Sequence, residues 1–169
     1  TNKNKILINN DCELSSKDFR IINSYYDKLD VLLSQFSIAG YDGINDEDKL
    51  KKEAEQKLND LVNYNNNLNA ENFIPFASFI YFCSVDNHRL NNYLNSIEDV
   101  YNKLKNNKTK CILLLPGDTY NAEKNESYHD NKKIIKNYNN IYKNFDKIFL
   151  QPEKIEISEL RFAFSNFVN

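Results

Sequence analysis

Asn10-Asp11 directly follows the apolar run Ile6-Leu7-Ile8, which places a carboxylate where a buried strand should end. In open α/β sheets the carboxyl ends of strands gather at the ligand crevice, where a carboxylate suits metal ligation or acid–base work. The other reading of Asp11 is a turn residue leading into a helix, a position that Asp and Asn favour in any case. Two more candidates to face a ligand are Ser78, in Pro75-Phe76-Ala77-Ser78, and Asp118, in Pro116-Gly117-Asp118-Thr119. No nucleophile-elbow glycines surround Ser78, so packing is its expected role. Gly117 permits a tight turn, which is the plainer reading of Asp118. His88 and His129 lie in polar stretches with neither a His-x-His pair nor a His-Glu-x-x-His. Metal sites need several converging donors, so both histidines are expected at the surface. Cys12, Cys83 and Cys111 lack metal-ligand spacing, and each adjoins an apolar run. They are expected to be reduced and mostly buried.

The elements that would carry these residues alternate between strand and helix. Residues 5–9 read as a buried strand closed by a polar turn. Ser15, with Asp18 three residues on, starts a helix to about Lys28. Asp30 precedes a second strand over 31–35, and Gly40 and Gly43 mark the loop after it. From Asp46 to about residue 66, Leu50, Ala54, Leu58, Leu61 and Val62 share one helical face, opposite Lys51, Lys52, Glu55 and Asn59. Residues 73–76 read as a third strand ended by Pro75, and 79–83 as a further buried segment. Ser96 and Asp99 cap a short helix carrying Val100 and Leu104, and residues 111–115 form a fourth strand stopped by Pro116-Gly117. A polar loop leads to a helix with Ile134, Tyr138, Ile141 and Phe145 on one stripe. Residues 147–150 read as one more strand and 159–168 as a terminal helix. Such alternation predicts parallel βα units in a layered α/β fold.

Composition narrows the functional classes. The 169 residues suffice for one cored domain, and an aromatic share of 13% argues against disorder. A net charge of -2 and a pI near 5.7 leave no electrostatic footprint for nucleic acid. No membrane span is expected, and the start of the chain lacks signal-peptide shape, so the expected location is the cytoplasm. Methionine is absent, which we read as a piece of a longer translation product. The abundant asparagine is scattered among good helix and strand patterns, so a compositional bias explains it better than a prion-like tract.

Three segments together resemble the later part of a metallo-β-lactamase-fold domain. Ile6-Leu7-Ile8-Asn9-Asn10-Asp11-Cys12 is similar to the strand that delivers the metal-bridging aspartate in that superfamily. The run from Asp30 to Gly40 looks like the next strand and its loop. Ile74-Pro75-Phe76-Ala77-Ser78-Phe79, followed by Asp86-Asn87 and Asn91, resembles a segment of CMP-N-acetylneuraminate hydroxylase-like members, and Pro116-Gly117-Asp118 echoes a Pro-Gly turn of that group. The likeness spans about residues 5–120. It implies an α/β fold forming the C-terminal half of an αββα sandwich with mostly parallel βα units over residues 1–125, and an additional helical segment over 126–169. It marks Asp11 as a metal ligand or its remnant. The family's His-x-His-x-Asp-His motif belongs to the other half and is not in this chain, and Phe76-Ala77 stands where many hydrolytic relatives place a final histidine.

The expected function is therefore part of a metal-dependent hydrolase or hydroxylase-like protein, inactive as an isolated chain. Its partner would be the N-terminal half of the same domain, with zinc or iron in the parent, none held by this chain alone, and a small-molecule substrate. The alternative is a non-catalytic binding or assembly module that keeps the fold without the metal. A bacterial receiver domain is a weaker match, because its phospho-accepting aspartate would fall on Gln35, which cannot take a phosphoryl group. Asp11 and Gln35 are also too close for an intervening βαβ unit of ~30 residues.

Overall fold

The computed structural model describes residues 4–38, 46–127, 130–145 and 156–168. Four strands, β1 (Ile6–Asn9), β2 (Leu29–Ser34), β3 (Ala70–Pro75) and β4 (Lys110–Cys111), form one sheet in the order β1-β2-β3-β4. Every neighbouring pair is parallel. Between them run α1 (Ser16–Tyr25), α2 (Glu47–Leu68) and α3 (Ile97–Leu104), with a 3-10 turn at His88–Tyr93 before α3. After β4 come a small antiparallel hairpin of β5 (Tyr120–Asn121) and β6 (Glu126–Ser127), then α4 (Asn131–Phe145) and α5 (Ile157–Val168). The parallel arrangement over the four expected strand positions follows the sequence reading, as does the long helix packed on the sheet.

Local chemistry explains the helix boundaries. Ser15 and Ser96 each make the reciprocal capping box with Asp18 and Asp99, which supplies partners for otherwise orphaned backbone N–H groups. Asp46 caps α2 by accepting from the Asp48 and Lys49 N–H groups at 3.0 and 3.1 Å. Asn69 ends α2 in the left-handed conformation, φ 48°, a conformation that Asn tolerates better than most residues. The buried stripe of α2 is Leu50, Ala54, Leu61, Tyr64 and Leu68, at the helical spacing expected of a face that rests on a sheet.

The pleat sorts the sheet into two faces. Leu7, Leu32, Phe73 and Cys111 stand in one row across the strands. They join Phe19, Leu61, Leu68, Val100, Leu104, Ile134 and Tyr138 in the main core, so α1, α2, α3 and α4 all contribute to this side. Full burial of a leucine such as Leu61 or Leu68 stabilises by ~2 kcal/mol. The opposite face holds a smaller cluster of Val31, Ile74 and Ile112, packed against Tyr120 and Ala122 of the hairpin. Towards β1 that face opens, and Ile6 and Ile8 are 52% and 62% exposed.

Several expectations need correction. The expected strand over 111–115 pairs as a strand only at Lys110–Cys111. Beyond it, the Leu113 N–H donates to Asn131 Oδ1, the Leu114 carbonyl accepts from Tyr138 Oη, and the Leu115 N–H donates to Asp118 Oδ2. Side chains take the backbone groups that a further strand would have used. Residues 79–83 form a loop without strand structure, none of them fully buried. Cys12 is exposed and Cys83 half-buried, so only Cys111 is buried as anticipated; all three are free thiols. Cys12 lies in the turn after β1, past the last residue that the sheet covers. The segments around Gly40 and Gly43, His129 and the expected strand at 147–150 lie outside the described residues.

Candidate functional site

The carboxyl ends of β1, β2 and β3 carry the residues singled out above. Asp11 sits two residues past β1, exposed, with one described side-chain partner: Asn10 Nδ2 donates to Asp11 Oδ2 at 3.1 Å. Beneath this turn, Asn9 and Ser34 are buried neighbours in register, joined by a 3.4 Å Asn9 Nδ2 to Ser34 Oγ contact. A shallow recess beside them is lined by Cys12, Gln35, Lys57, Asp60 and Tyr64. Asp11 is therefore placed at a strand exit, as the crevice rule requires, and it does not line that recess.

Ser78 is buried, and its hydroxyl oxygen accepts from the Phe36 and Ser37 N–H groups at 2.9 and 3.2 Å. It thus ties the loop after β3 to the loop after β2. Ala77 before it adopts φ 59°, a left-handed conformation that costs a non-glycine residue about 1–2 kcal/mol. That turn carries the chain from the exposed Phe76 to the buried Ser78. Asp118 closes a tight turn: its N–H donates to the Leu115 carbonyl at 2.9 Å while its carboxylate accepts from the Leu115 N–H at 2.8 Å. Gly117 supplies the φ of 94° that this turn needs.

Asparagines 91 and 95 carry much of the loop architecture, and the sequence reading did not single out Asn95. Its side-chain amide donates to the Phe36 and Ala54 carbonyls at 2.8 and 2.7 Å, and its backbone N–H donates to Ser37 Oγ at 2.8 Å. Asn91 grips both backbone groups of Phe82, each at 2.8 Å. Nothing in a chain so rich in asparagine separates these two from the rest. The one available signal is position, four residues apart just before a Ser-x-x-Asp capping box.

His88 is half-buried rather than at the open surface. Its Nε2 lies 3.1 Å from Tyr81 Oη, with the two rings edge-to-face. Tyr81 in turn neighbours Tyr142 and Phe145, and in a separate group Phe79 bridges Phe36 and Tyr138. Burial pushes the phenols of Tyr138 and Tyr142 above the ordinary tyrosine range. Burial also pushes the Cys111 thiol up to about 12.

The metal that the family likeness implies would need several converging donors. Among the described residues, no three His, Cys, Asp or Glu side chains converge. Asp11 brings one carboxylate, whereas zinc takes about four donors. The described residues alone do not fit a complete centre. No helix of the described residues is long and apolar enough to cross a membrane. No family model, curated protein or solved structure matches the chain.

Proposed function

We propose that this chain is one α/β half of a metallo-β-lactamase-like sandwich. It would supply Asp11 to a centre completed by the N-terminal half and be inactive by itself. The observation that carries the reading is the incompletely covered second face of the sheet, open at β1. All-parallel sheets are found almost only with both faces covered. Here α1 to α4 pack on one face, while Ile6 and Ile8 on the other are more than half exposed. A second sheet laid against this face at β1, about 10 Å away, would bury them. Asp11, two residues beyond β1, would then stand at the rim between the halves. The parent activity consistent with this is metal-dependent hydrolysis or a hydroxylase-like reaction on a small molecule, with zinc or iron as the metal.

Elemental analysis tests the reading. The chelator-treated chain, reloaded with zinc, iron or manganese, should retain no stoichiometric metal. The full-length protein should retain it, and Asp11→Ala should lower its content. Stoichiometric metal on the 169-residue chain, lost on Asp11→Ala, would overturn the half-site reading. A full-length Asp11→Ala variant with undiminished metal would favour the alternative, an assembly module that keeps the fold without the centre. The exposed Phe76 and Ala77 at the exit of β3 are what support that alternative.

A further inference from the structure

A second recess lies past the end of β3, between the loop that follows it, the segment entering α3 and the later turns of α4. Its volume is about 200 Å³, and its walls include Ser78, Ile80, Tyr81, Asn95, Asn139 and Tyr142. No Lys, Arg, Asp or Glu is among its lining residues. A cavity of ~150 Å³ accommodates benzene, so this one suits a single six-membered ring with small substituents. An uncompensated charge is costly to bury, so a wall without ionic groups selects against phosphates and carboxylates.

The polar atoms of the wall narrow the class further. Both acceptor positions of Ser78 Oγ are taken by backbone N–H groups, at 2.9 and 3.2 Å. Its own hydrogen remains to be donated, and no hydrogen bond among the described residues gives that hydrogen an acceptor. Ser78 is only 3% exposed, and a buried donor without an acceptor is an unusual state for a folded chain. Asn139 Nδ2 donates to Glu98 Oε2 at 3.0 Å, so the side-chain oxygen is the group left to accept from a ligand in the cavity that Asn139 lines. The Tyr81 and Tyr142 rings stand 6.2 Å apart with planes tilted by 50°. Planes so tilted make no parallel slot for an intercalated ring, so a ligand ring lies on one tyrosine at a time. A rigid ring carrying a carbonyl beside an N–H matches this set.

The geometry points to a binding site for a small, neutral cyclic amide, of the chemical class of the free nucleobases, in the cavity between Ser78 and Asn139. The ligand carbonyl accepts the Ser78 hydrogen, its ring N–H donates to the Asn139 oxygen, and its ring face lies on a tyrosine. The site does not depend on Asp11 or on any metal.

An NMR titration of the isotope-labelled chain with uracil tests this, with glucose and uridine monophosphate as comparison ligands. Uracil should give saturable shifts confined to residues 78–81, 91–96 and 139–142. Uridine monophosphate should bind more weakly, because no cation lines the cavity to offset the burial of its phosphate. Ser78→Ala removes a structural acceptor and threatens the fold, so the deciding variant is Asn139→Leu on the half-exposed face of α4. It should keep the native spectrum and weaken uracil at least tenfold. No saturable shift up to the solubility limit of uracil would overturn the site. So would shifts elsewhere, an unchanged affinity in Asn139→Leu, or glucose or uridine monophosphate binding more tightly than uracil.

Discussion

Single residues at the sheet's carboxyl edge divide into those that hold the loops and those that reach outward. Ser78 serves two buried N–H groups, and each orphaned donor costs ~1–3 kcal/mol. Ser78→Ala should therefore lower the unfolding free energy by about 2–4 kcal/mol, read as a shifted urea midpoint at unchanged slope. A change below ~0.5 kcal/mol would show that the loops find other partners. Asp11→Ala, on an exposed turn, should stay within about 0.5 kcal/mol of the parent chain in the same experiment. The thiols should separate by rate. Exposed Cys12 should label quickly with a thiol reagent in the native protein, and Cys83 more slowly. Cys111, buried and with its pKa near 12, should label only on unfolding. Equal rates for Cys12 and Cys111 would contradict this placement.

Among the elements, α1 and α3 begin with the same device, and each should lose ~1 kcal/mol on Ser15→Ala or Ser96→Ala. The α1 cap carries a pH signature. Hydrogen bonds from the Ser15 side chain and backbone hold the Asp18 carboxyl below the ordinary aspartate value. A depressed folded-state pKa means that the contribution is complete above the ordinary value. It is lost as pH falls through that value towards the lower, folded one. Acid titration of the Ser15→Ala chain beside the parent should therefore show the gap between their stabilities narrowing at the acid end. A gap of unchanged size in acid would remove Asp18 from the account, because only the Ser15 Oγ cap on the Asp18 N–H is independent of pH. β4 is a different case. It is short because α4 side chains cap the backbone beyond it, and Asn131→Ala should cost stability through the Leu113 N–H and the Cys111 carbonyl it leaves unpaired.

For the molecule as a whole, the uneven covering of the sheet is the main consequence of the topology. Ile6→Lys with Ile8→Lys should leave the isolated chain within about 1 kcal/mol of its parent stability, because both positions are already more than half in water. On the half-sandwich reading, a protein that also contains the N-terminal half should lose folding or metal retention with the same pair, since lysines would then be buried against a second sheet without partners. Full-length protein that tolerates both lysines with normal stability would contradict the half-sandwich reading. In contrast, Leu32→Ala, within the main core, should cost about 2–5 kcal/mol in the isolated chain.

Periodicity and capping residues in the sequence determined the first three strands and the main helices, because those signals are local, while the β5–β6 hairpin falls in a stretch that reads as a polar loop. The Ser-x-x-Asp boxes at Ser15 and Ser96 mark two helix starts to the residue, and the stripe from Leu50 to Leu61 marks the buried face of α2. Strand–helix alternation also determined the parallel pairing, since parallel neighbours need a crossover between them. Only the tertiary structure decided which groups meet. The Ser78 hydroxyl faces Phe36 and Ser37 across more than forty residues of chain, and Asn95 binds Ala54 across 41. Such contacts depend on how two loops fold over one another, and no short-range pattern encodes them. The same holds for the exposure of Cys12 and the shortness of β4. An apolar run shows that a segment can be buried, but the neighbours that fold over it decide how far the burial extends.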